Sequence, residues 1–241
     1  MRELVLAGLR TQIRSAAVPP TPPSGALVLL HGYGVAGDHL VYLSEQLDLP
    51  SGTVLVFPEA PLELEPGFGE ARAWWQINEN ALRKSMVTGQ TALVSEAAEG
   101  DRPSARRAIG NWMNALLLEL GLAPEQIVLG GFSQGANAAL DFVLNDNRPW
   151  AGLVFLSGTR INGAGFAEPL QSRAPMRAYV SHGRLDPILP LCVTKQLCSE
   201  LQNAQWNVEL SVFDGDHGIP PQVIYDVSRT AKRFLGSLGP E

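Results

Sequence analysis

The chain has 241 residues, a length at which an α/β protein still forms one domain. Hydrophobic residues make up 45% of it and charged residues 17%, a mixture that supports a sizeable core and excludes an intrinsically disordered chain. The net charge of -6 gives no electrostatic reason to bind nucleic acid or an anionic membrane, so neither is an expected partner.

The N-terminus and the cysteines predict where the protein works. Glu3 and Arg10 interrupt the apolar stretch at the start, so no signal-peptide core is expected, and no run of about 18 apolar residues predicts a membrane span. Cys192 and Cys198 lie on different faces of a predicted helix, so we expect reduced thiols and no disulfide. Together these features predict a cytoplasmic protein.

Short apolar runs that alternate with helical patterns predict a mostly parallel sheet. Every residue of the run 26–30 is apolar, which is typical of a strand buried on both faces of a sheet covered by helices. The predicted strands are residues 4–7, 26–30, 53–57, 126–129, 152–156, 177–181 and 208–213.

Two helices are predicted from apolar residues at three- and four-residue spacing. The first covers residues 104–120, with Ser104 as its N-cap and Gly121 as its stop. The last covers residues 221–235 and begins with Pro221, because a first helical turn needs no donor at that position.

The order of these elements predicts the domain organisation. Alternating strands and helices form a doubly wound α/β sheet with helices on both faces, and residues 1–241 are expected to form a single domain. Residues 59–103 are the least regular stretch. We expect this stretch to be an excursion that covers the substrate.

The segment 126–137 contains the strongest functional signal. Gly131, Ser133 and Gly135 fit the pattern G-x-S-x-G, which here follows a predicted buried strand and precedes an alanine-rich helix. In that context the glycines let the chain double back, and the turn holds a serine hydroxyl above the sheet edge. The segment therefore predicts Ser133 as a nucleophile. The alternative is a glycine-rich turn that carries an incidental serine.

A serine hydroxyl needs a base that takes its proton, and histidine is the usual one. After a nucleophile on such a turn, the acid comes next in the chain and the histidine last. His217 lies between the last predicted strand and the last helix, so it is predicted as the base. His182 ends a strand and precedes the candidate acid, so it does not fit this order.

The acid should follow a strand and precede the base. Asp186 lies just past the predicted strand 177–181, where it can orient the imidazole and stabilise its protonated form. Asp214 and Asp216 compete for this role, although both are close to His217 in the chain and either fits a loop-capping aspartate.

Two backbone N–H groups are predicted to hold the oxyanion. One belongs to Tyr33, just after the strand 26–30, and the other to Gln134, the residue after the nucleophile. His31 is interpreted as a structural residue that hydrogen-bonds this loop, because no second ligand lies at metal-binding spacing, so no metal is expected. His39 is expected on a surface helix.

Aromatic residues are candidates for the substrate pocket. Trp74 and Trp75 fit a pocket wall about as well as they fit packing under a loop. They are predicted to contact the substrate together with Ile219, which lies in the histidine loop.

These motifs, in this order, resemble the phospholipase/carboxylesterase family of α/β-hydrolases, which includes acyl-protein thioesterases. The resemblance spans about residues 26–235. It implies an α/β-hydrolase fold without a large cap domain, the same triad and oxyanion donors, no cofactor, and often homodimers. The matching segments are residues 31–34, 57–61, 73–75, 130–135, 182–187 and 215–220.

The sequence departs from the family pattern at two positions and in one stretch. Ala136 stands where many members have a third glycine, and Asp216 precedes the histidine where glycine is common. A carboxylate at Asp216 is expected to alter the loop that carries His217. Residues 79–103 match no segment of the family, so substrate preference is left open.

The predicted function is hydrolysis of short or medium acyl esters by a serine esterase that forms an acyl-enzyme. One alternative keeps the triad and changes the substrate to an acyl-protein thioester or a lysophospholipid. A remote alternative is a non-catalytic α/β-hydrolase that binds a ligand or a protein.

Overall fold

A computed structural model describes residues 2–15, 22–64, 70–91, 100–161 and 164–236. Within these ranges the chain forms a twisted eight-stranded sheet, a two-stranded sheet and six α-helices. The strands are β1 Arg2–Leu6, β2 Leu9–Arg14, β3 Gly25–Leu30, β4 Thr53–Pro58, β5 Leu62–Glu63, β6 Arg72–Ala73, β7 Ile127–Phe132, β8 Gly152–Leu156, β9 Arg177–Gly183 and β10 Asn207–Phe213. The helices are α1 Glu79–Thr88, α2 Arg102–Leu120, α3 Gln134–Leu144, α4 Ala164–Ser172, α5 Leu191–Asn203 and α6 Pro221–Leu235.

The large sheet is mostly parallel, as predicted. Its strand order is β1-β2-β4-β3-β7-β8-β9-β10, and the six strands from β4 to β10 pair in parallel. An antiparallel hairpin of β1 and β2 completes one edge. The sequence analysis did not predict β2, because Arg10, Gln12 and Arg14 alternate with buried residues and leave no apolar run.

Helices cover both faces of the sheet, which confirms the doubly wound arrangement. Alternate residues of β3 show this directly, because successive side chains of a strand point to opposite faces. Ala26, Val28 and Leu30 belong to one buried core cluster, which includes residues of α2, α3 and α5, whereas Leu27 and Leu29 belong to another, which includes residues of α6. The strand is therefore apolar throughout, since neither face meets water.

The helix boundaries agree with the predictions except at one N-terminus. α6 begins at Pro221 as expected, and Gly121 ends α2 in a left-handed conformation with φ of 64°. The predicted N-cap Ser104 is wrong, because α2 begins at Arg102 and the Asp101 carboxylate accepts a hydrogen bond from the Ser104 N–H. A carboxylate caps this helix one turn earlier than expected.

The described part of residues 59–103 contains only short elements. Before α2 begins at Arg102, they are the antiparallel pair of β5 and β6 and the helix α1, which Asn78 caps through its side chain. An isolated bridge between Val35 and Arg72 connects this region to the loop after β3. Among the described residues, no helix is both long and apolar enough to cross a membrane.

Candidate active site

Ser133 lies at the turn between β7 and α3, at the carboxyl edge of the parallel strands. Its backbone has φ of 55° and ψ of -121°, a conformation that is strained for any residue with a Cβ atom. The turn is held by a hydrogen bond from the Ser133 N–H to the Leu156 carbonyl in the adjacent strand. The predicted strand–turn–helix context of Ser133 is therefore present in the structure.

The glycines beside Ser133 allow the turn to cross the end of β3. A Cβ atom on Gly135 would overlap the carbonyl group of Leu30 and lie 2.5 Å from the His31 carbonyl oxygen. A Cβ atom on Gly131 would lie 2.6 Å from the Leu30 oxygen. No side chain fits at either position, which is the physical reason for the glycine spacing around the serine.

His217 is within hydrogen-bond distance of Ser133. Its Nε2 atom lies 2.9 Å from the Ser133 Oγ atom, although 84 residues separate the two in the chain. The imidazole also packs against the Phe132 ring at 4.8 Å between centroids. The structure thus brings the predicted base to the predicted nucleophile at the distance that proton transfer requires.

Asp186 contacts the other nitrogen of the same imidazole. Its Oδ2 atom lies 2.7 Å from His217 Nδ1, and its Oδ1 atom accepts hydrogen bonds from the N–H groups of Ile188 and Leu189. Burial acts to raise the pKa of Asp186, but the hydrogen bonds from His217 and from the two N–H groups outweigh it and hold the pKa below its usual value. The carboxylate is therefore ionised at neutral pH.

The two competing aspartates occupy other positions. Asp214 is exposed and pairs with Arg184 at 2.7 Å. The main chain at Asp216 packs so closely on β9 that a Cβ atom on Gly183 would overlap the Asp216 carbonyl oxygen. Within the described residues, neither carboxylate hydrogen-bonds His217, so the geometry favours Asp186 as its partner.

Ser157 supports the histidine loop, which the sequence analysis did not predict. This buried residue has φ of 46°, and its hydroxyl donates to the Gly218 carbonyl at 3.3 Å. A serine after a strand carries no distinctive pattern, so only the fold reveals this contact between β8 and the loop that carries His217.

The two predicted oxyanion donors belong to segments that lie next to Ser133. Gln134 is the first residue of α3, where an N–H group has no acceptor within its own helix. Tyr33 follows Gly32, at which a Cβ atom would lie 3.4 Å from the Ser133 Cβ atom. The loop after β3 therefore passes next to the serine, as the oxyanion prediction requires.

The Gln134 side chain has a role that the sequence analysis missed. Its Oε1 atom accepts from the Trp74 N–H at 3.0 Å, and its Nε2 atom donates to the Trp75 carbonyl at 2.7 Å. Gln134 is buried and bridges this backbone segment to the nucleophile turn.

Trp74 is not among the described residues that line the cavity beside Ser133, so the geometry favours packing over a substrate contact for its side chain. Its ring is only 1% exposed, and its Nε1 atom donates to the His31 carbonyl at 2.9 Å. This is the packing alternative of the sequence analysis. Trp75 and Ile219 do line the cavity, which is where they were predicted to contact substrate.

His31 has both ring nitrogens engaged within the loop. Its Nε2 atom accepts from the Ala60 N–H at 3.0 Å, so the hydrogen lies on Nδ1, which donates to the Gly32 carbonyl at 2.8 Å. Burial lowers the pKa of His31 to about 4. These contacts fit the structural interpretation of His31.

An apolar cavity of about 530 Å³ opens beside Ser133. His39 also lines this cavity. It lies in a turn before the 3₁₀ helix Val41–Glu45, so the prediction that His39 lies on a surface helix is wrong. The apolar part of the lining comes from residues 33–42 after β3, from residues 75–77 before α1, from α1 itself and from the histidine loop. Its side chains include Val35, Tyr42, Trp75, Ile77, Leu82 and Ile219.

Comparisons with known proteins agree on family and fold. The model of the phospholipase/carboxylesterase family matches residues 12–234. Acyl-protein thioesterase 1 of Saccharomyces cerevisiae is 28% identical over 238 residues, covering 90% of this chain and 95% of that protein. Acyl-protein thioesterase 1 of Eremothecium gossypii is 26% identical over 91% of this chain and 92% of its own length.

Two solved structures show the same fold. The esterase PE8 superposes with a TM-score of 0.74 at 22% identity, covering 94% of this chain and 99% of its own. The Bacillus cereus carboxylesterase gives a TM-score of 0.69 at 16% identity, with 94% of both chains covered. The α/β-hydrolase fold expected from the motifs is thereby confirmed. The chain belongs to the phospholipase/carboxylesterase family of hydrolases.

Proposed function

We propose that the chain is a serine carboxylic-ester hydrolase that acts through an acyl-enzyme on short or medium acyl esters. The observation that carries the proposal is the continuous chain of contacts from Asp186 through His217 to Ser133, at 2.7 and 2.9 Å. An acid, a base and a nucleophile in this order activate a serine hydroxyl for attack on a carbonyl carbon.

In the first half of the reaction the ester is cleaved and the enzyme is acylated. His217 Nε2 takes the Ser133 proton while Oγ bonds to the carbonyl carbon, and the carbonyl oxygen becomes an oxyanion. The protonated His217 then gives that proton to the leaving alcohol as the carbon–oxygen bond breaks. Asp186 stabilises the imidazolium that exists between these two transfers.

In the second half, water replaces the alcohol. His217 takes a proton from water, the hydroxide attacks the acyl group, and the carboxylic acid leaves as His217 returns the proton to Ser133. The backbone N–H groups of Tyr33 and Gln134 hold the oxyanion in both halves. Each donor is expected to lower the barrier by about 3 kcal/mol.

The cavity supports an acyl group of moderate size. Its volume of about 530 Å³ and its apolar walls suit an aliphatic chain better than a charged group. Trp75, Ile77 and Leu82 lie on the wall contributed by residues 59–103, so this excursion covers part of the substrate site in our proposal.

A thioester is the second candidate substrate, and the relatives favour it. Proteins named acyl-protein thioesterase 1 align over nine-tenths of this chain. The same steps cleave a thioester, with a thiol instead of an alcohol as the leaving group. Paired esters and thioesters of equal acyl length, compared by kcat/KM, measure which leaving group is preferred and which acyl length fits.

Replacing the nucleophile tests the proposal. Ser133→Ala removes Oγ, so hydrolysis of p-nitrophenyl butyrate should fall to the background rate, and a fluorophosphonate probe should no longer label the protein. Ser199→Ala is a matched control, because this serine is exposed and, in the part of the chain that the structure describes, its hydroxyl donates only to the Lys195 carbonyl within α5. Full turnover by folded Ser133→Ala would exclude the serine mechanism. A wild-type protein that the probe does not label would favour a non-catalytic binding role.

The proposal also covers the location, the partners and the oligomeric state of the protein. We place it in the cytoplasm, supported by Cys192 and Cys198, which are free thiols. The net charge of -6 supports a small-molecule substrate over nucleic acid as a partner. A homodimer is expected from the family resemblance, and sedimentation of the purified protein measures it directly.

A further inference from the structure

The buried carboxylate of Asp186 lies between two imidazoles. Its Oδ2 atom is 2.7 Å from His217 Nδ1 and 3.4 Å from the Nε2 atom of His182. The side chains of Asp186 and His182 are both fully buried. The rings of His217 and His182 approach this oxygen atom from different directions.

The hydrogen bonds of His182 show which nitrogen carries its hydrogen. Nε2 lies 2.6 Å from the Leu189 carbonyl oxygen, which only accepts, so Nε2 is the donor. Nδ1 lies 3.0 Å from the Thr194 hydroxyl oxygen, which lies equally far from the Gly158 carbonyl oxygen, its other partner. Burial lowers the pKa of His182, which favours the neutral ring with its hydrogen on Nε2.

Leu189 connects the two side chains through its own peptide groups. Its carbonyl accepts from His182 Nε2, and its N–H donates to Asp186 Oδ1. The loop from Asp186 to Leu189 is therefore held at both ends, and the same Leu189 lines the cavity beside Ser133. His182 itself is fixed in β9, where it pairs with Val212 of β10.

We propose that His182 is a positioning residue for Asp186, whose Nε2–H is shared between the Leu189 carbonyl and the carboxylate oxygen that faces His217. The inference rests on the proposed function, because it assigns a fourth side chain to the same site. The Nε2–H takes up part of the carboxylate charge and fixes the orientation of Oδ2, so it sets how strongly Asp186 attracts the imidazolium of His217.

Two substitutions separate the Nε2 donor from the rest of the ring. His182→Gln places an amide N–H near the position of Nε2, whereas His182→Asn places its amide near Nδ1 and leaves Leu189 and Asp186 without this donor. Without this donor the Oδ2 atom is no longer held in one orientation and positions the His217 imidazole less well, so kcat should fall about 10-fold to 100-fold in His182→Asn with little change in KM. His182→Gln should recover most of that loss.

The pH profile provides a readout that a purely structural role would not change. The ionisable groups that face His182 are Asp186 and His217. Without the Nε2 donor, Asp186 holds more negative charge and stabilises protonated His217, which cannot act as a base. The acid limb of the kcat/KM profile should therefore move to higher pH by about half a unit in His182→Asn. In His182→Gln it should stay near the wild-type position.

A control variant on the same strand isolates the effect of lost stability. Tyr179→Phe removes a buried hydroxyl that donates to Asp226 at 3.2 Å, on the face of β9 away from His182. It should lower the melting temperature without moving the acid limb. A folded His182→Asn with the wild-type kcat and acid limb would overturn the inference.

A measurement on the wild-type protein covers the case in which the His182 variants do not fold. In protein labelled with ¹⁵N-histidine, NMR should show His182 neutral with its hydrogen on Nε2, and that signal should shift as His217 titrates. A hydrogen on Nδ1 would overturn the inference. Loss of the proposed function itself would show differently, as full esterase activity in Ser133→Ala.

Discussion

The reacting side chains and the cavity wall are held in different ways. Ser133, Asp186 and His217 each follow a parallel strand. The backbone beside Asp186 contacts the backbone of the His217 loop, and the turn at Ser133 contacts the backbone at the end of β3. The wall formed by residues 59–64, 70–78 and α1 contains two-residue strands and one helix. We call the first region the catalytic rim and the second the pocket wall.

The pocket wall is attached to the catalytic rim by a few hydrogen bonds. Gln134 bridges Trp74 and Trp75, and His31 accepts from Ala60. At the end of the pocket wall that α1 forms, the Tyr33 hydroxyl donates to Glu79 in the first turn of this helix. Substitutions in the rim should therefore affect the chemical step, whereas substitutions at these attachments should affect mainly substrate binding and stability.

The largest expected effect is in the rim, at the acid. Asp186→Asn leaves the shape but favours the wrong imidazole tautomer, so kcat should fall about 10,000-fold. Steady-state hydrolysis of p-nitrophenyl butyrate measures this. Asp214→Asn is the matched control, because this exposed carboxylate pairs only with Arg184 among the described residues, and its loss should change kcat/KM less than about twofold. The reverse ranking would assign the acid to Asp214.

The next effect tests the backbone contacts of the rim. Gly135→Ala forces a methyl group onto the carbonyl groups of Leu30 and His31, so unfolding free energy should fall by about 4 kcal/mol and activity should be lost. Gly110→Ala in α2 is the control, since its Cβ atom would lie 3.6 Å from Phe142. It should stabilise the protein by about 0.5–1 kcal/mol in urea unfolding. Equal effects would contradict the close approach at Gly135.

The third effect is a pH dependence of stability that comes from the buried His31. Its pKa of about 4 in the folded protein lies below the ordinary 6.5, so the unfolded chain binds more protons between these values. Stability should therefore fall as pH is lowered from 6.5 to 4, by at most about 3 kcal/mol from this group.

Chemical unfolding at a series of pH values measures this loss. His31→Gln keeps an acceptor for the Ala60 N–H without titrating, so its stability should depend less on pH in that range. An unchanged slope in the variant would show that other groups cause the acid destabilisation.

The smallest effect is at the attachment of the pocket wall. Gln134→Met keeps the backbone N–H and the side-chain length but removes the hydrogen bonds to the Trp74 N–H and to the Trp75 carbonyl. Stability should fall by about 2 kcal/mol, and KM should rise more than kcat falls. A fall in kcat at constant KM would place the Gln134 side chain at the reacting atoms instead.

The catalytic rim was predictable from the sequence because its requirements are local. Buried parallel strands show as apolar runs, and the glycines beside Ser133 are required by contacts that recur wherever a chain makes this turn. Strand 152–156 was predicted with its observed bounds. The order of Ser133, Asp186 and His217 then limited the candidates for acid and base.

The pocket wall was less predictable because its contacts depend on tertiary structure. The sequence gives Trp74 and Trp75 equal apolar character, yet one packs against His31 and the other lines the cavity. Neither the bridging side chain of Gln134 nor α1 was predicted. The local sequence does not distinguish a glutamine that hydrogen-bonds the backbone 59 residues away from a glutamine that faces water.

The backbone conformation of Ser133 has a consequence for the balance between stability and activity in this protein. At φ of 55° the residue occupies a conformation that glycine adopts readily and serine does not. The fold would thus form more easily with glycine at this position than with the serine that we propose as the nucleophile. Selection for stability alone would favour glycine, and in our proposal selection for activity keeps a serine there.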